Sequence, residues 1–320
     1  MPIPLPPGIE IIENAPLARH TYMRLGGPAH YFATPKDLVQ LEQLLIWAAG
    51  FHLPLRVIGG GSNLLVSDEG IDAVVISLRS ACGGMTFEGD TVRVGAAVML
   101  PALAHAAANA GLSGLEFAIG IPGTVGGALQ SNAGIGDGRC IGNLIESVEV
   151  FGGRGFITIP REELRFDYRR SSLRSSGVMV VGATLNLAPR PTDDIEAEMR
   201  RLLEARQASQ PTAEPNAGSI FRNPSGDYSG RLIEAAGCKG MSVGGARISE
   251  KHANFIVHNG AATTRDVVTL MAEVQQRVSD HSGVWLIPEI EWWGDGPNPA
   301  AFRAAPPGAD GAAGLTLDPR

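Results

Sequence analysis

The run from Gly114 to Gly138 constrains this chain most: Gly-Leu-Glu-Phe-Ala-Ile-Gly-Ile-Pro-Gly-Thr-Val-Gly-Gly-Ala-Leu-Gln-Ser-Asn-Ala-Gly-Ile-Gly-Asp-Gly. It is dense in glycine, yet Ile119, Ile121, Val125 and Leu129 are interleaved with the glycines, and such side chains favour burial. Glycine lets another backbone or a ligand come close, and Pro122 fixes its own φ and removes one donor. A buried glycine-rich turn whose N–H groups point one way is a nest for an anion such as a pyrophosphate. For any single glycine the plainer alternative is a tight turn packed against a sheet.

A chain of 320 residues is long enough for two or three domains and a large core. Its formal net charge of −7 argues against a nucleic-acid partner. No uninterrupted apolar run is long enough to cross a bilayer, and Met1 to Glu10 lacks the basic and apolar regions of a signal peptide. Cys82, Cys140 and Cys238 are far apart and form no CxxC pair, so neither a zinc site nor a disulfide framework is implied. A reducing cytoplasm is the simplest setting.

Strands and helices alternate through the first two-thirds of the chain. Thr34 and Pro35 read as the start of a helix whose apolar face is Leu38, Leu41, Leu44, Leu45 and Ala48, closed by Gly50. Leu55–Ile58 and Asp72–Leu78 read as strands. Between them, Gly59-Gly60-Gly61-Ser62-Asn63 runs directly into Leu64-Leu65-Val66. A Rossmann fold would place a helix there, so any phosphate bound by this loop is bound by a strand-turn-strand nest. Further strands are expected at 91–94, 145–151, 156–159 and 178–187, with a helix from Asp193 to Gln207. Ser209–Pro215 reads as a domain boundary. Beyond it come a short helix at 232–236, a strand at 254–257, an amphipathic helix from Thr264 to Val278 and a final strand from Val284 to Trp293. Pro297–Arg320 is rich in alanine, glycine and proline and is expected to be disordered.

Seven motifs in order resemble the UDP-N-acetylenolpyruvoylglucosamine reductase family, over roughly Asn14 to Gly294. They are Arg24-Leu25-Gly26-Gly27-Pro28-Ala29; Gly59 to Asn63 with Leu64-Leu65-Val66; Gly114-Leu115-Glu116-Phe117 leading to Ile121 through Ala128; Tyr168-Arg169-x-Ser171; Asn216-Ala217-Gly218-Ser219-x-Phe221-x-Asn223-Pro224; Ser249-Glu250-Lys251-His252-Ala253-Asn254-Phe255; and Pro288-Glu289-Ile290. The resemblance implies an α+β protein: an FAD-binding domain of the vanillyl-alcohol-oxidase-like (PCMH) type, built of two α/β subdomains with FAD between them, plus a C-terminal α/β substrate domain. In residues this is a lead-in at 1–18, FAD subdomains at 19–80 and 81–208, a substrate domain at 209–296 and a tail at 297–320.

The same resemblance implies noncovalent FAD, NADPH as hydride donor and a UDP-sugar enolpyruvyl ether as substrate, with no metal. Ser219 is then the proton donor, and Arg169 and Glu289 polarise the substrate carboxylate. Gly59, Gly60, Gly61, Ser62, Asn63, Ile121, Pro122, Gly123, Thr124, Gly126 and Gly127 would hold FAD, and Asn223, Lys251 and Tyr168 the substrate. The chemistry suits these residue types. Hydride addition to C3 of an enolpyruvyl group leaves charge on C2 and the carboxylate, which an arginine stabilises with paired donors. A hydroxyl must then deliver a proton to C2. A carboxyl such as Glu289 helps there only if protonated or bridged.

Three departures stand out. Ile287 occupies a position where members often carry a second glutamate. The chain between Arg174 and Glu204 has no inserted loop bearing a substrate-clamping tyrosine, which marks the shorter subtype. Arg222 replaces the usual lysine, keeping charge but not geometry. Two other functions stay open on the sequence. One is an alcohol or sugar oxidase of the same cofactor superfamily, for whose covalent flavin tether His20 and His30 are the nearby histidines. The other is a noncatalytic flavin or nucleotide binder. The oligomeric state is not legible.

Overall fold

The structure is a computed structural model that describes residues 3–153 and 155–303, together with the backbone of 310–311. The chain forms two compact units, and neither is contiguous in sequence. The first comprises Met1–Ala15, His30–Gly60 and Asp72–Ala208; the second comprises Pro16–Ala29, Gly61–Ile71 and Ser209–Arg320. The sequence-order division placed 19–80 in one body, whereas two of its segments cluster with the C-terminal residues.

The first unit holds two sheets. In the four-stranded one the order is Glu10–Pro16, Pro28–Thr34, Ile71–Ser77, Leu55–Ile58, the last pair being parallel. The five-stranded sheet is antiparallel, in the order Gly155–Pro160, Ile145–Gly152, Met179–Asn186, Thr91–Gly95, Met85–Glu88. All of these strands except Met85–Glu88 and the first two of the four-stranded sheet were legible as β-branched or alternating runs. Helix Leu38–Gly50 buries Leu41, Leu44, Leu45 and Ala48 as its periodicity requires, but its cap is Asp37, whose carboxylate accepts the Gln40 N–H, rather than Thr34. Leu38, assigned to the apolar face, is exposed. Helices Leu100–Asn109 and Thr192–Ser209 also pack on this core.

In the second unit, helix Thr264–Ser282 is the central element. Thr263 and Asp266 form a capping box at its start, Asp68 accepts the Thr264 and Arg265 N–H groups at 2.8 and 2.9 Å, and Gly283 closes it at φ 75°. Val267, Leu270, Met271, Val274 and Val278 are wholly buried against Leu65, Ile233, Ile248, Ile256 and Leu286. The run expected to be one strand, Val284–Trp293, is broken. Val284–Trp285 and Glu291–Trp293 are separate strands, and Pro288 between them makes only an isolated bridge to Phe221. Proline has no N–H to extend a ladder. Glu291–Trp293 pairs in parallel with Leu64–Val66.

Among the described residues no helix is long and apolar enough to cross a membrane, and no group of three or more His, Cys, Asp or Glu is placed to hold a metal ion. The disorder expected from Pro297 is not found at residues 297–303. Ala300–Phe302 forms a 3-10 turn in which Ala301 is wholly buried, Phe302 meets the Trp292 ring at 5.6 Å, and the Ala301 carbonyl accepts from the buried Gln275 amide at 3.1 Å. Asp310–Gly311 pairs in parallel with Val284–Trp285; residues 304–309 and 312–320 lie outside the described residues. A chain ended after Gly296 should therefore lose about 1–3 kcal/mol by leaving buried groups unpaired. Its Tm should fall by about 2–4 °C per kcal/mol lost. An unchanged melt would show that the turn does not dock.

Candidate active site

The two glycine segments of the first unit meet. A Cβ added to Gly60 would lie 3.1 Å from the Gly123 Cα, and one on Gly59 would lie 2.5 Å from the Thr124 Oγ1. Side chains are excluded where the loops touch, so a ligand lying along them meets backbone. That arrangement fits a dinucleotide pyrophosphate.

The turn is not an open row of donors, however. Ile121 N–H donates to Ala118, Val125 to Val98, Gly126 to Ala96, and Gly127 to the Thr124 hydroxyl that caps helix Val125–Ser131. Gly126 is glycine for packing, since a Cβ there would lie 3.1 Å from the Ala96 Cβ. Pro122 and Gly123 are half-buried, and Gly123 has φ 153°. Glu116 in the preceding motif is buried and serves its own turn, accepting from the Ser113 hydroxyl at 2.5 Å and the Gly114 N–H at 2.8 Å.

Arg169 belongs to this same piece of structure. Tyr168 and Arg169 form the two-residue turn between strands Phe166–Asp167 and Arg170–Ser171. Arg169 has φ 56°, a conformation that non-glycine residues hold only where the surroundings impose it. Its guanidinium donates to the Gly134 carbonyl at 3.1 Å and lies 5.1 Å from the Tyr168 ring centre. Ser171 donates to Gln130 O at 3.1 Å and Asn132 to Asp167 O at 3.0 Å, so the hairpin is pinned to the residues that follow the glycine turn. Arg169 is half-buried; Tyr168 and Arg170 are exposed.

Ser219 and Glu289 are brought together in the second unit. Glu289 N–H donates to the Ile220 carbonyl at 2.8 Å and Arg222 N–H to Ile287 at 2.9 Å, so the segment after Ser219 pairs antiparallel with the segment that carries Glu289. Both residues are half-buried. Asn63, expected to touch FAD, spends its side chain elsewhere: the amide donates to the Glu289 carbonyl at 3.0 Å, and the Asn63 carbonyl accepts from Glu291 at 2.9 Å. Gly61 and Ser62 lead into it; Gly61 has φ 64°, and its carbonyl accepts from Tyr22 at 3.0 Å.

Asn223, exposed, uses its side-chain oxygen to accept the Ser229 N–H at 3.0 Å, which opens helix Ser229–Ala235. Lys251 is exposed on a tight turn whose ends are joined by Ser249 N–H to the Phe255 carbonyl at 2.9 Å. His252 on that turn accepts the Asn254 N–H through Nδ1 at 3.2 Å. Burial holds its pKa below the ordinary histidine value, Lys239 adding to the effect while the backbone and Glu234 oppose it.

With the site's geometry in view, similarity to known proteins is specific. Residues 29–158 match a family model described as an FAD binding domain, and 210–293 match one described as UDP-N-acetylenolpyruvoylglucosamine reductase, C-terminal domain. A UDP-N-acetylenolpyruvoylglucosamine reductase 2 of Symbiobacterium thermophilum is 45% identical over 88% of this chain and 92% of its own. The reductase of Moorella thermoacetica is 45% identical over 90% of this chain and 95% of its own. The crystal structure of UDP-N-acetylenolpyruvylglucosamine reductase from Thermus caldophilus matches with a TM-score of 0.75 at 39% identity, over 89% of this chain and 99% of that one. The chain belongs to the UDP-N-acetylenolpyruvoylglucosamine reductase family. The FAD-binding fold expected of it is the one found.

For this member of the reductase family, sequence reasoning missed the asparagines that build the site's frame. Asn132, buried at φ 47°, joins the Arg169 hairpin to Gly142, and Asn254 holds the segment after Ser219. The available signal was an asparagine inside the Gly114–Gly138 run and another inside the Ser249–Phe255 motif, with nothing local to show its partner. Ile287, at the position of the family's frequent second glutamate, contributes its carbonyl to the pairing with Arg222.

The His252 shift has a testable sign. A histidine with a depressed folded-state pKa binds fewer protons than in the unfolded chain, so stability is retained above the unfolded value, about 6.5, and is lost as pH falls through the mid-acidic range. Thermal melts between about pH 5 and pH 8 should show this acid-side loss, and His252→Gln should reduce it. Identical pH dependence in the two proteins would show that folding leaves the imidazole's proton affinity unchanged.

Proposed function

We propose that the protein reduces UDP-N-acetylenolpyruvoylglucosamine to UDP-N-acetylmuramate with NADPH, through noncovalently bound FAD, as a cytoplasmic step in peptidoglycan precursor synthesis that serves cell-wall growth, shape and division. The observation that carries this reading is the strand pairing of Ser219's segment with that of Glu289, closed by the Ile220–Glu289 bond at 2.8 Å. A hydroxyl and a carboxyl on adjacent extended segments suit a substrate that needs a proton on one carbon and stabilisation of an adjoining carboxylate.

In this reading Gly59–Asn63 and Ile121–Gly127 admit the FAD pyrophosphate, and residues 209–296 bind substrate. FAD, when bound, supplies the hydride that reaches C3 of the enolpyruvyl group. Arg169 stabilises the charge that develops on the carboxylate, its planar fork held by Gly134 and the Tyr168 ring. Ser219 O–H delivers the proton to C2, and the resulting alkoxide is reprotonated from solvent. Glu289, protonated or bridged, lies beside the enolate. Lys251 and Asn223 contact the uridine diphosphate, Lys251 as a point charge, and Tyr168 contacts substrate.

Stopped-flow absorbance of the flavin separates the two half-reactions. Ser219→Ala should leave reduction by NADPH near its normal rate and slow reoxidation by the enolpyruvyl substrate by roughly 10²–10⁴-fold. The reverse pattern would make Ser219 an NADPH contact and end this assignment. Arg169→Lys should likewise cut turnover far more than Arg170→Lys, because a point charge cannot replace a fork held in a left-handed turn. Equal, small effects would remove Arg169 from the reaction.

A further inference from the structure

We propose that Asn254 is a positioning residue for proton delivery, its buried amide locking the backbone that carries Ser219. The inference rests on the reading of Ser219 as proton donor. Asn254 is 3% exposed. Its Oδ1 accepts the Phe221 N–H at 2.9 Å, its Nδ2 donates to the Phe221 carbonyl at 2.7 Å, and its own carbonyl accepts the Ile220 N–H at 2.9 Å. On the opposite edge, Ile220 O and Arg222 N–H are taken by Glu289 and Ile287. Every backbone polar group from Ile220 N–H to Arg222 N–H is thus fixed, either by Asn254 or by the segment carrying Glu289.

One side chain here does the work of a neighbouring strand, because a primary amide offers the donor and acceptor of a peptide in one plane. On the N-terminal side, Gly218 at φ 76° donates to the Asn216 side chain at 2.9 Å. Ala217, Ile220 and Phe221 are buried, and Gly218 and Ser219 between them are half-buried. The serine is therefore held between a turn and a locked segment, where its position follows from the backbone. Asn254 also lies on the turn that carries Lys251, so the proposed diphosphate contact and the proton donor are joined through one amide.

The test is Asn254→Asp, which keeps the acceptor for Phe221 N–H but turns the donor toward Phe221 O into a repelling oxygen unless the new carboxyl is protonated. With the holoenzyme, reoxidation by the enolpyruvyl substrate should fall about 10–100-fold at neutral pH, the scale of a small misplacement of a reacting group. Reduction by NADPH should stay within about two-fold of wild type. Reoxidation should recover as pH falls, because protonation restores the donor; His252, the titratable neighbour, is present in both proteins, so the wild-type profile is the control. Asn254→Ala should show the same selective loss without recovery.

Wild-type reoxidation in both variants, with Ser219→Ala slow, would overturn the inference. So would equal slowing of both half-reactions, loss of FAD, or failure of both variants to fold, any of which makes the amide a requirement of the fold alone. Fast reoxidation in Ser219→Ala would instead overturn the reading of Ser219.

Discussion

The peptide of Glu289 is hydrogen-bonded on both sides, and the second unit is built outward from it. Its N–H goes to Ile220 and its carbonyl receives the Asn63 amide, so three segments separated by up to 226 residues share one point. Pro288 just before it forbids a continuous ladder, and the chain answers with a single bridge to Phe221 and a fresh parallel pairing at Glu291. Removing the Asn63 amide would leave a carbonyl without its donor in a part-buried setting, a cost of the order of 1–3 kcal/mol.

That point changes how the glycine motifs are understood. In the first unit, most N–H groups of the Ile121–Gly127 turn are satisfied by the fold itself, and Thr124 is a helix cap. The glycines are needed because Gly59 and Gly60 lie against Gly123 and Thr124 with no room for a Cβ. Close packing and ligand access are one requirement here, since a surface stripped of side chains for packing also leaves backbone within reach of a phosphate. In the second unit, the end of the same loop motif, Asn63, serves the strand of Glu289.

What the sequence made legible follows the range of each interaction. The helices at 38–50, 192–209 and 264–282 were readable because their apolar period is local, although the cap of the first is Asp37 and not Thr34. The long strands of the five-stranded sheet were readable from their β-branched alternation. The break at Pro288 had a local signal, a proline without the N–H a ladder needs, set inside an apolar run. The docked turn at Ala300–Phe302 had none, because a distant partner, Gln275, decides it. The discontinuous units escaped for the same reason. The motifs supplied Arg169, Ser219 and Glu289 by resemblance; the positive φ of Arg169 and the strand pairing of the other two left no local trace.

Side chains that bind backbone fix much of the second unit, the Asp68 carboxylate at the start of helix Thr264–Ser282 among them. Asn63, Asn254, Gln275 and His258, whose Nε2 meets the Met23 carbonyl at 2.6 Å, all bind backbone. The ion pairs of this unit, such as Lys239–Glu234 at 3.1 Å and Arg265–Glu69 at 3.2 Å, lie at the surface, where such pairs contribute about 0–1 kcal/mol. A buried ion pair would need excellent geometry to offset its desolvation. The buried amide of Asn254 satisfies donor and acceptor together without bringing a charge into the interior.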